Sequence, residues 1–456
     1  MKNYHNIIIV FIITFCIHSC ELVDVTDIEA QDVLTEETAI RDQIGAELTL
    51  AGAYSFLNDA SGTLYIKSVV LQLGIEAEPG GIIGGTSSSY YVNNVDPQDR
   101  DSKNVYSGMY TISNRANYLI NILPSLDDAL FETGSKSKII AEAKFLRALS
   151  HFYLLRSYGQ FWDLNSKYGI VLRTEPANDA IAIPRSTVQE TYDFILNDLD
   201  TAIPDLAVTS PGYYANKYAA LALKARIMLY MGKYTEAAIL SKDVIDNSPF
   251  KLEDTFAEVF ENEFNSSEML FATYHDDNEY SASSVLWWIY ISISDYYKNF
   301  ANSVNDTRIS YVNYEHPTRG FINGKFRGFF DGGTNIHLRL AEVYLIYAEA
   351  LARSNGDLKD IKDAINKIRN RAGMDNTNAS TREELINAIR QEKLLELAVE
   401  EGEPWFDTIR YAIVDGFDIS TIKPTITSKD QYILPIPYDS VTTSNNVVDQ
   451  NPGYKF

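Results

Sequence analysis

The stretch that most constrains the fold runs from Leu338 to Ala372, LRLAEVYLIYAEALARSNGDLKDIKDAINKIRNRA. Its first half, Leu338 to Arg353, is apolar almost all round. The only charges there, Arg339, Glu342, Glu349 and Arg353, fall within roughly 80° of arc on a helix that turns about 100° per residue. A helix with so narrow a charged stripe must be enclosed by other elements on most sides. The stripe itself reads as internal ion pairing at three- and four-residue spacing. In the second half, Leu358, Ile361, Ala364, Ile365, Ile368 and Ala372 repeat at three and four with Lys and Asp between them, which makes one wet face and one dry face. A turn at Ser354-Asn355-Gly356-Asp357 joins the two halves into an αα-hairpin, the unit of a helical repeat array.

A clearer copy of the unit lies between Asn216 and Asn247. Ala225, Gly232, Tyr234 and Ala237 stand there at the tetratricopeptide spacing, with small residues for close approach and Gly for the turn. The same spacing counted from Glu349 meets Gly356 and Leu358, with Ile361 where a small residue belongs. Further helical segments run from Thr35 through Leu57, over Val105 to Leu123, and over Ile139 to Tyr158, the last ending at Gly159. Ser186 or Thr187 with Glu190 opens another. Thr381 with Glu384 starts the last long helix, which extends to Gly402. These features predict a mainly α fold: a tetratricopeptide-like array of helix pairs with long irregular loops and little β structure.

Two segments break the array. Gly74 to Asp101 carries Gly, Ser, Asn and Pro without helical period, and a loop longer than about 15 residues inside a compact domain is functional or disordered. Pro249 to Thr334 is an insertion containing the apolar, partly alternating run Leu286 to Ile293. The prolines of Leu434-Pro-Ile-Pro437 and Gln450-Asn-Pro-Gly-Tyr454 hold the tail extended.

The N-terminus bears on location. After Lys2, the apolar run Ile7 to Ile17 is too short to span a bilayer, which takes about 20 residues, and suits a signal-peptide core. Ile17-His18-Ser19-Cys20 resembles a bacterial lipobox, which implies cleavage before Cys20 and acylation of its thiol and amine; two or more chains give stable anchoring. The only cysteines are Cys16 and Cys20, so the mature chain would keep no thiol for a disulfide, a metal or nucleophilic catalysis. The expected organisation is a signal peptide over 1–19, an acidic tether over 20–34, helix pairs over 35–248, and a region with the insertion and further pairs over 249–456, the last two forming one unit.

The acidic surface, 62 Asp and Glu against 39 Lys and Arg, repels nucleic acid and anionic lipid. Catalytic motifs are absent: there is no Gly-x-Ser-x-Gly, His-Glu-x-x-His or Walker loop. The six histidines stand apart, which gives no metal motif, and no cofactor is indicated. The distinctive material is aromatic residues beside amides in the irregular segments: Tyr90, Tyr91, Asn93 and Asn94 in the first loop, and Trp287, Trp288, Tyr290 and Tyr296 in the insertion. Aromatic faces stack on sugar rings while Asn and Asp bond the hydroxyls, so these eight are the candidate ligand-binding residues; the same rings could equally pack the insertion onto the array. Trp162 and Trp405, in patterned segments, are expected in the core.

A set of ordered motifs resembles the SusD/RagB family of outer-membrane nutrient-binding lipoproteins. They are Cys20; Ala143-Lys-Phe-Leu-Arg147 through Phe152 to Tyr158-Gly159; Asn305-Asp306-x-Arg308; Arg339-Leu-Ala-Glu342 to Glu349; Ile365 to Arg369-x-Arg371-Ala-Gly373; Glu392, Glu396 and Glu400; and the two proline motifs of the tail. Pro404 departs from the family, which usually has Arg there. The resemblance implies helix pairs supporting irregular binding loops, a lipid-anchored protein of the outer membrane facing the exterior, a TonB-dependent SusC-like barrel transporter as partner, and a glycan ligand without catalysis. A repeat scaffold that binds peptide or protein at the outer membrane is the alternative.

Overall fold

The computed structural model describes residues 39–58, 74–80, 89–177, 181–274, 287, 289–326, 334–400 and 402–455. Cys20 and Trp288, and with them the signal peptide and tether, lie outside the described residues. The chain divides into Met1–Ala39 and Ile40–Phe456, and every element below belongs to the second unit. It is 56 % helix and 6 % strand, which makes it mainly α as expected.

The helices are α1 (Gln43–Asn58), α2 (Arg100–Ile122), α3 (Ser135–Tyr158), α4 (Val188–Ala202), α5 (Lys217–Tyr230), α6 (Tyr234–Asn247), α7 (Phe256–Glu261), α8 (Asp295–Ser303), α9 (Ile309–Val312), α10 (Leu340–Arg353), α11 (Leu358–Arg371), α12 (Arg382–Leu397), α13 (Glu403–Val414) and α14 (Tyr438–Thr443). Consecutive helices pack as pairs, α2 with α3, α5 with α6 and α10 with α11, while α10 also lies against α6 and α12. Both hairpins read from the sequence are present. Gly232 takes φ 72° between α5 and α6, and Asn355 takes φ 61° between α10 and α11. These are left-handed conformations that Gly and Asn adopt at least cost.

Enclosure follows the apolar pattern. From Phe145 to Tyr158 every residue of α3 is buried, and α10 is buried on all but one narrow side. Trp405 is fully enclosed, and Trp162 packs at the edge of the same core. The helix starts obey the capping rule. The Thr187 hydroxyl accepts from Glu190 N–H at 3.1 Å and the Glu190 carboxylate accepts from Thr187 N–H at 2.8 Å, and Thr381 with Glu384 repeats this box. The helix from Thr381 is not the last long one. It stops at Leu397, Val399 and Gly402 turn left-handed at φ 59° and 73°, and Pro404 at the first turn launches α13.

The insertion is more ordered than its pattern suggested. Among the described residues, six short strands form three antiparallel two-stranded sheets: β1 (Ala77–Pro79) with β3 (Ile291–Ile293), β2 (Met269–Ala272) with β6 (Ile336–Arg339), and β4 (Asn313–His316) with β5 (Gly320–Asn323). The β2–β6 pair ties the insertion to the start of α10: Leu270, Phe271 and Leu338 join the main core, while Met269, Ala272 and Ile336 join a second apolar cluster with Trp287, Tyr297 and Phe326.

The charged stripe of α10 behaves differently from the expectation. Only Glu349 and Arg353 pair within the helix, at 2.9 Å. Arg339 instead reaches Glu396 at 2.6 Å and Glu400 at 2.8 Å, and Glu342 accepts from Arg226 of α5 at 2.7 Å. Residues at i+3 and i+4 were within reach, but packed helices on either side offer buried groups that no water can serve, and those must be paired first. The result is three charge-balanced clusters. In the largest, Arg308, Lys325, Arg339, Arg369 and Arg371 face Glu268, Asp306, Glu392, Glu396 and Glu400. Glu349 and Asp407 meet Lys393 and Arg410, with Arg353 and Asp415 at the rim. Arg156 and Arg226 face Glu342 and Glu403. Nearly all the charged residues of the sequence motifs therefore serve as scaffold.

Candidate functional site

The two aromatic-bearing segments, some two hundred residues apart in the chain, are joined by one short ladder. Glu78 pairs with Ser292 and Pro79 with Ile291, Gly80 N–H donates to Tyr290 O at 2.9 Å, and Ser294 N–H donates to Glu76 O at 2.9 Å. The approach is too close for a side chain at position 80, where a Cβ would come within 1.8 Å of Ser292 Oγ. Gly80 therefore has a packing reason.

Tyr91 stands beside this ladder. Lys423 Nζ lies 5.4 Å from the centre of its ring, and partial burial, followed by the Glu78 and Asp295 carboxylates, raises its hydroxyl above the ordinary tyrosine range. Tyr290, at the end of the ladder, is 49 % exposed. Tyr296 is half-buried against the second apolar cluster, and burial raises its hydroxyl as well. Asn94 is exposed on the far end of the Tyr90–Asn94 turn.

The remaining expected residues point inward. The Tyr90 hydroxyl, 8 % exposed, donates to Asp99, whose carboxylate also caps α2 by accepting from Ser102 N–H at 2.8 Å. Asn93 is 2 % exposed and takes φ 52°, which turns the chain between Tyr91 and Asn94. Trp287 is 2 % exposed inside the second cluster. Of the eight candidates, Tyr91, Asn94, Tyr290 and part of Tyr296 reach solvent, Tyr90, Asn93 and Trp287 are buried beneath them, and Trp288 lies outside the described residues. Their aromatic and amide character suits both settings, so composition alone does not separate them.

Sequence reasoning missed what underlies this surface. Glu76 is wholly buried, and burial pushes its carboxyl up to about 7. Lys423 Nζ donates to Gly74 O at 2.8 Å and sits over Trp405 as well as Tyr91; burial lowers it to about 7 against the pull of Glu76. Neither residue lies in a pattern that would have flagged it. A second exposed aromatic group was also passed over. Tyr213 packs on Tyr214 at 4.8 Å, on Tyr274 at 4.9 Å and on Phe264 at 5.4 Å, and the Pro211-Gly212-Tyr213-Tyr214 turn was its available signal.

Chemically, the arrangement suits non-covalent recognition. Glu78 and Asp295 are both engaged by Lys298, at 3.8 and 2.8 Å, and Asp295 N–H donates to Glu78 at 3.1 Å. Among the described residues no group of His, Cys, Asp and Glu is placed to hold a metal ion, and no helix is long and apolar enough to cross a membrane.

Residues 272–454 match the family model described as the SusD family, and residues 81–229 match one described as starch-binding associating with outer membrane. The chain belongs to the SusD family. It is 23 % identical to a SusD-like protein of Bacteroides ovatus over 69 % of this chain, an alignment spanning 66 % of that relative, just under two thirds of its length. It is 24 % identical to a SusD-like protein of Formosa agariphila, over 90 % of this chain and 92 % of the relative. A SusD superfamily structure from Bacteroides vulgatus superposes with a TM-score of 0.77 at 23 % identity, covering 91 % of this chain and all of that one. A structure described as a laminarin binding SusD-like protein gives a TM-score of 0.75 at 21 % identity, covering 91 % of this chain and all of that one. At such identities the superpositions establish the SusD fold, and the loops are this chain's own.

Proposed function

We propose that this protein is a surface-exposed glycan-binding lipoprotein, anchored in the outer membrane through Cys20. It captures an oligosaccharide on the surface around Tyr91 and Tyr290 and passes it to a TonB-dependent, SusC-like barrel transporter, without cleaving it. The observation that carries this reading is the β1–β3 ladder, which supports a shared surface for the two aromatic segments where ring faces, carboxylates and a lysine lie together. Sugars present apolar ring faces edged with hydroxyls, and that surface offers the complementary groups. Family membership lends further support, as does the laminarin binding stated for one protein of the same fold.

Affinity gel electrophoresis against starch, laminarin, inulin, xylan and pectin, followed by calorimetry on the retained glycan, tests the reading. Retention of one polysaccharide, weakened by Tyr290→Ala, is expected. Binding to a barrel partner with no affinity for any glycan would instead support a protein-binding scaffold.

A further inference from the structure

The turn that presents Tyr91 also opens, at its other end, onto a separate concavity. A cleft of about 300 Å³ lies between Asn94, Asp96 and Gln98 on one wall and Tyr438, Tyr454 and Lys455 on the other. Hydrogen bonds fix both walls. Tyr438 N–H donates to Pro97 O at 2.8 Å, Gln98 N–H to the Asp96 carboxylate at 2.8 Å, and the Tyr454 hydroxyl to Ile433 O at 2.7 Å. Gly453, at φ +84°, lets the tail fold in where a Cβ would come within 2.5 Å of Asp430 Cβ. Within these fixed walls, the side-chain amides of Asn94 and Gln98 enter no hydrogen bond among the described residues.

We propose that this cleft is a second sugar subsite, holding one ring of an uncharged oligosaccharide that extends onto Tyr91 and Tyr290. The volume stands at the lower end of small-molecule pockets, about 300 to 1,000 Å³, which suits a single sugar ring and is too confined for a protein segment. Asp96 and Lys455 carry opposite charges, so the cleft favours neither anion nor cation. Each free amide supplies a donor and an acceptor for hydroxyls, and the tyrosine rings give a sugar an apolar wall. Tyr91 and Asn94 are three residues apart, at most about 11 Å of chain, so one short oligosaccharide reaches both. The proposal rests on the glycan-binding reading and adds a length requirement to it.

The test uses the mature protein and an oligosaccharide ladder, from the disaccharide upward, made from whichever polysaccharide of the panel the protein retains. Affinity is expected to rise with chain length. Gln98→Ala, on an exposed side chain, should weaken the longer oligosaccharides about fivefold, the loss of one net hydrogen bond. Tyr438→Ala, which keeps the backbone bond to Pro97, should weaken them about tenfold. Neither should change affinity for the shortest bound sugar, whereas Tyr290→Ala should weaken every length. Equal affinity of both variants and the parent across the ladder would overturn the second subsite and leave glycan binding standing. Failure of the parent protein to retain any polysaccharide would overturn both.

Discussion

Glu396 offers the sharpest test of how the scaffold is held. Its carboxylate is fully buried and accepts from Arg308 at 2.8 Å, from Arg339 at 2.6 Å and from Arg371. Burial alone would raise this carboxyl, but the three guanidiniums outweigh it and hold it well below the ordinary range. Glu396→Gln keeps the shape and removes the charge. Each charge-assisted hydrogen bond is worth about 1.5–3 kcal/mol, so three make a gross loss of about 4.5–9 kcal/mol. Part is recovered, because Arg308 keeps Asp306 and Glu392, and Arg339 keeps Glu400. What remains is an excess of buried positive charge, which costs about 3–5 kcal/mol. Against a typical stability of about 5–15 kcal/mol, that is a large fraction. Urea unfolding followed by both tryptophan fluorescence and circular dichroism measures it, with Asp363→Asn as control, since its pair with Lys359 is exposed and should contribute negligibly. A loss below about 1 kcal/mol for Glu396→Gln, the size of an average substitution, would refute the view that these motif charges lock the fold.

Three further outcomes follow from the same structure. Arg226 and Arg156 overcome the effect of burial and hold the Glu403 carboxyl at about 2. A carboxyl depressed on folding contributes stability above its unfolded value of about 4.3 that is lost as pH falls toward 2, so Glu403→Gln should flatten the acid limb of the stability profile between about pH 5 and 2. Asn93→Gly keeps the turn but loses the amide bond to Gln431 O and should cost about 1 kcal/mol, whereas Asn93→Val, forced in addition to a positive φ, should cost about 1–2 kcal/mol more in denaturant unfolding and weaken glycan binding with it. Trp287→Ala should cost about 3–5 kcal/mol by emptying a core position, while Tyr290→Ala, on an exposed ring, should leave the thermal midpoint in place and reduce binding alone.

The helical scaffold was legible because its signals are local. Apolar spacing at three and four, Gly232 in its turn, and Thr187 or Thr381 three residues ahead of a Glu each act within one or two turns of helix. Where the signal was local but its neighbourhood was not, reading failed in part. The α10 charges were visible, yet their partners come from α5, α12 and the segment after it, so spacing within α10 could not assign them. The apolar residues Ala398 and Val399 give no stop signal after Leu397; the helix ends because Ala398 turns extended at ψ 136° and Val399 left-handed at φ 59°.

The candidate site was legible as two segments and not as one surface. A three-residue strand such as β1 has too few positions to show alternation, and its partner β3 lies some two hundred residues onward. Tyr90 and Tyr91 are identical in type and adjacent. The left-handed turn at Asn93 and the Asp99 cap decide that one hydroxyl is spent inside and the other ring lies by the ladder. Glu76 and Lys423 carried no sequence signal because a buried acid and a buried base look, in sequence, like any surface pair.

A crystal structure of the mature protein with the glycan it retains would test the central claim most directly. The account expects sugar density stacked on Tyr290 and Tyr91 beside the β1–β3 ladder, with the rings of Trp287 and Tyr90 unmoved beneath it. A glycan bound elsewhere, with both exposed tyrosines untouched, would contradict it.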